Sequence, residues 1–212
     1  MNSEEKEISY TTTNTYSTLN TLTPATKNVW LVCHGLSYLS KYFIKYFKAL
    51  NPEQNYIIAP QAQSKYYLKS NFKHVGACWL TKEKTINETE NVLNYIDAVL
   101  KNENVTPATN LIVLGFSQGV SIAARYVASR QLQCKKLILH SGTVPKELTS
   151  SHFNFYKGET HLVYGNNDDY LTPERLKTAL NHAKSIFKNQ LNIIAFNGVH
   201  EIDTQTILKL SR

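Results

Sequence analysis

No stretch of this 212-residue chain approaches the roughly 18 consecutive apolar residues that a membrane-crossing helix needs, so stable membrane insertion is not expected. The N-terminus, Met1-Asn-Ser-Glu-Glu-Lys-Glu7, is charged and leads into no apolar h-region, so no secretory signal is expected either. Cysteine is scarce. Cys33, Cys78 and Cys134 make an odd count with no CxxC spacing, and they read as reduced thiols of a cytoplasmic protein. No basic block is interleaved with aromatic residues, so a formal net charge of +7 does not point to nucleic acid. The lysines are scattered instead. Lys41, Lys45 and Lys48 share a helix face, and Lys65, Lys69 and Lys73 recur at similar spacing. A solvated face is the ordinary reading of such a pattern, and attraction to anionic substrates or lipid head groups is the functional one. No internal repeat, low-complexity tract or linker divides the chain, so one domain spanning residues 1–212 is expected.

What the chain does have is a set of short, continuous apolar runs. Asn28-Val-Trp-Leu-Val-Cys33, Asn55-Tyr-Ile-Ile-Ala59, Asn110-Leu-Ile-Val-Leu-Gly-Phe116, Lys136-Leu-Ile-Leu-His140, Thr160-His-Leu-Val-Tyr164 and Leu191-Asn-Ile-Ile-Ala-Phe196 read as buried strands. Ile8-Ser-Tyr-Thr11 and Tyr16-Ser-Thr-Leu19 alternate weakly, as edge strands do, and could open the sheet as an antiparallel pair. Helical patterns lie between the runs. Phe43, Ile44, Phe47 and Leu50 share one stripe. Ile86, Val92, Leu93, Ile96, Val99 and Leu100 share another, and residues 120–129 and 202–210 also read as helices. Thr172-Pro173 opens a further helix with an N-cap threonine and a proline at the first helical position. Residues 61–84 have no clean period and form a long connection, of the kind that often carries function. Strands alternating with helices predict an α/β architecture: a mostly parallel central sheet flanked by helices.

The stretch with chemical content is Gly115-Phe-Ser117-Gln-Gly119, set between a strand and a helix. Gly-x-Ser-x-Gly in that setting is a nucleophile elbow, a strained turn that lifts the serine hydroxyl out of the sheet top. Other strands end in His34-Gly35-Leu36, in Gly165-Asn-Asn-Asp168-Asp169 and in Asn197-Gly-Val-His200. Strand ends of an open α/β sheet meet at one rim. Ser117, then Asp168 or Asp169, then His200 is the α/β-hydrolase order. A serine is a weak nucleophile until a base takes its proton, an imidazole can do so near neutral pH, and a carboxylate fixes the imidazole tautomer. His140, His152, His161 and His182 compete for the role of base, but His140 ends the strand after the elbow, His152 and His161 precede the acid, and His182 lies within a helix. Backbone N–H groups of Gln118 and Leu36 are the expected oxyanion donors, and His34 reads as a structural turn residue.

On these residues the chain resembles the carboxylesterase, acyl-protein thioesterase and lysophospholipase family of α/β-hydrolases. The resemblance runs from about Asn28 to about Ile202 and rests on Gly115-Phe-Ser117-Gln-Gly119, His34-Gly35-Leu36, Gly165-Asn-Asn-Asp168 and Gly198-Val-His200. It implies an α/β-hydrolase fold with at most a small lid, from residues 61–84 or 143–159. It implies Ser117, Asp168 and His200 as catalytic residues, and so favours Asp168 over Asp169. It also matches Trp79 to the family's tryptophan, expected to line an acyl pocket. The chain departs from the family pattern at Ser37-Tyr38, Val120 and Leu80-Thr81, and by one extra residue between Asp168 and Pro173. The expected activity is hydrolysis of small or medium acyl esters or thioesters by a monomer or homodimer, with no metal or organic cofactor. Its rivals are a lysophospholipase or protein deacylase and, from another class, a binding protein on a hydrolase scaffold.

Overall fold

A computed structural model describes residues 3–106 and 109–212. In chain order the elements are β1 (Tyr16–Leu19), β2 (Asn28–Cys33), α1 (Ser40–Phe43), β3 (Asn55–Pro60), β4 (Ser64–Tyr67), β5 (Val75–Cys78), α2 (Thr85–Asn102), β6 (Leu111–Phe116), α3 (Gln118–Ser129), β7 (Lys136–His140), β8 (Glu159–Gly165), α4 (Pro173–Phe187), β9 (Leu191–Phe196) and α5 (Thr204–Leu210). Seven strands form one sheet in the order β1-β3-β2-β6-β7-β8-β9. Every neighbouring pair is parallel except β1 with β3.

The apolar runs are continuous because both faces of the sheet are covered. Along β2, Val29, Leu31 and Cys33 join the core under α2 and α3, while Trp30 and Val32 join the core on the opposite face with Phe43, Phe47, Ile207 and Leu210. Alternate side chains of one strand therefore enter different cores, as the two-residue pleat requires. Leu31, Val32, Val113 and Leu114 are wholly buried, and burying each such side chain stabilises the fold by roughly 1.5–3 kcal/mol. The C-terminal helix is held by a charge as well as by packing. The buried Lys136 donates to the carbonyls of Leu210 and Arg212, where the negative end of the α5 dipole lies.

Three elements differ from expectation. Residues 8–11 form no strand, and Ile8 and Tyr10 are more than four-fifths exposed. Of the two, β1 alone pairs, antiparallel to β3, because two apolar residues among polar ones give residues 8–11 little to bury. The helix expected over 40–50 is a single α turn that tightens into a 3-10 turn at Ile44–Phe47, yet Phe43, Ile44, Phe47 and Leu50 are all buried as the stripe required. Residues 61–84 contain a separate two-stranded hairpin, β4 with β5. It left no period in the sequence because all four residues of β4 are exposed, so no apolar alternation was needed.

Cys33 and Cys134 are buried, and burial pushes both thiols up to about 12, whereas Cys78 is half-buried. A thiol-reactive reagent at neutral pH is therefore expected to modify at most Cys78 in the folded protein, and all three cysteines in denaturant. Counting adducts by mass spectrometry checks this. Rapid modification of Cys33 in the native state would contradict the packing of β2.

Candidate active site

The strand registers put the carboxyl ends of β2, β6, β7, β8 and β9 side by side: Cys33 pairs with Gly115, Phe116 with His140, His140 with Val163, and Gly165 with Phe196. Ser117 follows the end of β6 and adopts φ 53° and ψ −118° as the N-cap of α3. A non-glycine residue in that region is strained, and the surroundings must hold it there. They do so by crowding. A side chain at Gly119 would sit 2.1 Å from the Cys33 carbonyl oxygen, and one at Gly115 would sit 2.4 Å from the Gly119 carbonyl oxygen. The Ser117 N–H donates to the His140 carbonyl at 2.9 Å, continuing the β6–β7 ladder one residue past the strand.

His200 lies in the turn after β9. Its Nε2 is 2.9 Å from Ser117 Oγ and its Nδ1 is 2.7 Å from Asp168 Oδ2. The Asp168 side chain is fully buried, and its second oxygen accepts the Tyr170 N–H at 2.9 Å. A carboxylate at Nδ1 requires the proton there, which leaves Nε2 to accept from the serine hydroxyl. Asp169 is exposed, so Asp168 is the acid that meets His200. The loops carrying the two residues are laced together by backbone. Asn166 N–H donates to Phe196 and Asn167 N–H to Gly198, both at 2.9 Å. A side chain on Gly165 would strike the Gly198 and Val199 carbonyls. The imidazole ring packs against Phe116 at 5.2 Å and Tyr170 at 4.7 Å between centroids.

The competing histidines have other employment. His152 caps a 3-10 turn, His161 pairs with Glu159, and His182 contacts the Pro145 carbonyl. His140 is fully buried. Its Nε2 accepts the Asp203 N–H at 3.1 Å and its Nδ1 faces Ser141 Oγ at 3.1 Å. It thus ties the end of β7, whose carbonyl accepts the Ser117 N–H, to the segment just after His200. His34 is buried as expected of a turn residue. Its Nε2 accepts the Ala62 N–H at 3.1 Å and its Nδ1 donates to the Gly35 carbonyl at 2.7 Å, which sets its tautomer. Burial lowers both His34 and His140 to about 4, so both are neutral at ordinary pH.

Trp79 is packed against the turn that carries Leu36. It is 1% exposed, its indole N–H donates to the His34 carbonyl at 2.7 Å, and its ring lies 4.9 Å from the His34 ring. It braces the His34-Gly35-Leu36 turn from behind. A hollow of about 210 Å³ is bordered by Trp79 with Leu80, Thr81, Glu83 and Lys84, and not by Ser117 or His200. Leu36 is half-exposed in the turn, and among the described residues its N–H meets no protein acceptor. Gln118 is the first residue of α3, where a helix N–H has no partner within the helix. The Gln118 side chain has a second role that its place in the motif did not signal. Its oxygen accepts the Trp79 N–H at 3.0 Å and its nitrogen donates to the Leu80 carbonyl at 2.8 Å, clamping the end of β5 to the serine turn. Tyr170, in the segment between Asp168 and Pro173, is likewise a contact of His200 that the motif spacing did not signal. Its position over His200 depends on a loop path that spacing does not reveal. Among the described residues, no group of three or more His, Cys, Asp or Glu side chains could hold a metal ion.

The family model described as phospholipase/carboxylesterase matches residues 16–212. The chain belongs to the phospholipase/carboxylesterase family. It therefore shares a family with hydrolases that act on esters, and its sheet and flanking helices are an α/β-hydrolase fold. Solved structures agree on the fold. Esterase PE8 is 22% identical with a TM-score of 0.68, covering 92% of this chain and 95% of its own. Acyl-protein thioesterase 2 of Zea mays is 14% identical with a TM-score of 0.70, covering 93% and 96%. A phospholipase/carboxylesterase of Dyadobacter fermentans is 18% identical with a TM-score of 0.68, covering 95% and 98%. No curated protein matches the sequence.

The two buried histidines make acid stability predictable. Each stays neutral in the fold down to about pH 4, whereas in the unfolded chain it takes up a proton below about 6.5. Above about 6.5 the two states bind equal protons and nothing is lost. As pH falls from 6.5 towards 4 the unfolded state is favoured, on the order of 3 kcal/mol per histidine. Glutamine at 140 can make the same two hydrogen bonds without titrating. The stability gap between wild type and His140→Gln is expected to shrink by about 2–3 kcal/mol between about pH 7.5 and about pH 4.5, read from denaturant melts. An unchanged gap would mean that His140 is not held neutral.

Proposed function

We propose that this family member is a serine hydrolase that cleaves carboxylic esters or thioesters of small or medium acyl groups through an acyl-serine intermediate. The observation that carries the proposal is the continuous chain from Ser117 Oγ to His200 at 2.9 Å and from His200 to Asp168 at 2.7 Å. His200 Nε2 takes the serine proton as Oγ attacks the acyl carbon. The buried Asp168 carboxylate holds Nδ1–H and stabilises the imidazolium that forms. The N–H groups of Leu36 and Gln118 receive the developing oxyanion, and losing one such donor typically lowers the rate by about a hundredfold or more. The intermediate collapses, the acyl C–O or C–S bond breaks, and His200 returns its proton to the departing alcohol or thiol. Water, deprotonated by the same imidazole, then attacks the acyl-serine, releases the acid and restores Ser117. No step of this scheme calls for a metal or an organic cofactor.

Trp79 acts in this scheme as a positioning residue, since its indole N–H and backbone N–H link the Leu36 turn to Gln118.

Labelling with a fluorophosphonate probe tests the proposal. Wild type is expected to label and Ser117→Ala is not. On short p-nitrophenyl esters, Ser117→Ala should lower kcat by about a millionfold, to background. Asp168→Asn should lower it by roughly a thousandfold to ten thousandfold while the fold and KM are retained. A folded wild type that neither labels nor hydrolyses any ester would overturn the mechanism. Labelling that persists in Ser117→Ala would put the nucleophile elsewhere.

A further inference from the structure

We propose that the β4–β5 hairpin docks the protein on the surface of an anionic phospholipid bilayer. The charge pattern comes first. From Gln54 to Lys82 the chain holds no aspartate or glutamate and four lysines, Lys65, Lys69, Lys73 and Lys82. The fold gathers three of these on one projection. Lys65 lies in β4, while Lys69 and Lys73 lie in the tip that joins β4 to β5, closed by Leu68 N–H donating to His74 and Phe72 N–H to Lys69. All three lysines are exposed, and among the described residues none pairs with a carboxylate. Lys65 donates to the Asn14 side-chain oxygen at 3.2 Å.

The same tip exposes the wrong side chains for a merely soluble turn. Phe72 is 67% exposed, Tyr67 56% and Leu68 41%. Phe72 and Tyr67 pack edge to face at 5.0 Å, and Phe72 does so at φ 54°, a conformation that bulky residues avoid. Neither core packing nor turn chemistry requires a phenylalanine there. Aromatic rings at headgroup depth with lysines reaching back to lipid phosphates are a membrane-interface arrangement. A hairpin tip with outward-pointing rings offers no groove for a peptide, so a bilayer fits it better than an acidic protein segment.

The projection is also coupled to the site. The Ser37 N–H donates to the Ala77 carbonyl of β5 at 2.9 Å, and Ser37 Oγ lies 2.7 Å from the Tyr66 hydroxyl of β4. Ser37 directly follows Leu36, so the hairpin and the oxyanion turn form one unit. Docking the tip would place that turn at the lipid surface. The docking requires no chemistry. Only its consequence, access to esters borne by lipids or held at the membrane, rests on the ester-hydrolase reading.

Vesicle co-sedimentation tests the docking. The folded protein is mixed with phosphatidylcholine vesicles, alone or carrying about a third phosphatidylserine, at low and high salt. Wild type is expected to bind the anionic vesicles, weakly or not at all the neutral ones, and to be released by salt. Each lysine near an anionic surface contributes about fivefold in affinity, so Lys65→Gln/Lys69→Gln/Lys73→Gln together should weaken binding about a hundredfold. Phe72→Ser should weaken it separately, and both variants should keep the wild-type melting temperature and hydrolysis of a soluble short-chain ester. Wild type that binds anionic vesicles no better than neutral ones would overturn the proposal, as would a triple variant that still binds. So would binding to soluble polyglutamate as tight as binding to anionic vesicles, with Phe72→Ser leaving both unchanged, which would mark an acidic protein partner instead. Because sedimentation does not depend on catalysis, an inactive protein that still binds vesicles would count against the ester-hydrolase reading alone.

Discussion

The rim of this molecule depends on how closely α3 passes over the end of β2. Gly119 lies so near the Cys33 and His34 carbonyls that no side chain fits, and Gly115 meets the start of α3 as tightly. This approach forces the chain to turn sharply at Ser117 and keeps it in a backbone conformation that an L-residue avoids. The sheet supplies the counterforce. Wholly buried strands on both sides of β6 leave the turn no direction in which to relax. Strain at one serine is therefore held by packing spread over two cores.

Around that serine the polar groups are arranged in two linked networks. One joins Ser117, His200 and Asp168, and continues through the Tyr170 N–H. The other lies behind the Leu36 turn, where His34, Trp79 and Gln118 satisfy one another and the backbone between them. Burial keeps His34 and His140 neutral, so each uses one ring nitrogen as donor and the other as acceptor. Buried networks of this kind rigidify a site only when every member is satisfied. The hairpin of β4 and β5 enters the second network through Ser37 and Gln118, which makes an outlying element part of the floor on which the chemistry would take place.

Much of this could be read from the chain before any coordinates. The apolar runs located the central strands because burial on both faces leaves a continuous signature, and the Gly-x-Ser-x-Gly spacing located the turn because backbone crowding admits only glycine. The weak alternation at Ile8 misled because two apolar residues among polar ones carry little driving force, and both lie exposed. The hairpin escaped notice because a strand with four exposed residues has no period to detect. The burial of Trp79 and its bond to the His34 carbonyl were not legible either, since a sequence shows that an aromatic is present and not which side of it meets solvent.

What the sequence determined by itself was the alternation of strands and helices, the place of the elbow, and the order of serine, acid and histidine. Those are local facts, set by side-chain volume, backbone freedom and spacing. Tertiary structure alone decided the partners: Asp168 within 2.7 Å of His200 with Asp169 exposed, His140 between Asp203 and Ser141, and the Trp79 indole on the His34 carbonyl. Each of these depends on which groups distant segments bring within about 3 Å of one another, since hydrogen bonds fade within a few tenths of an ångström beyond that distance. Only the packed sheet, with its strand ends in register, sets distances on that scale.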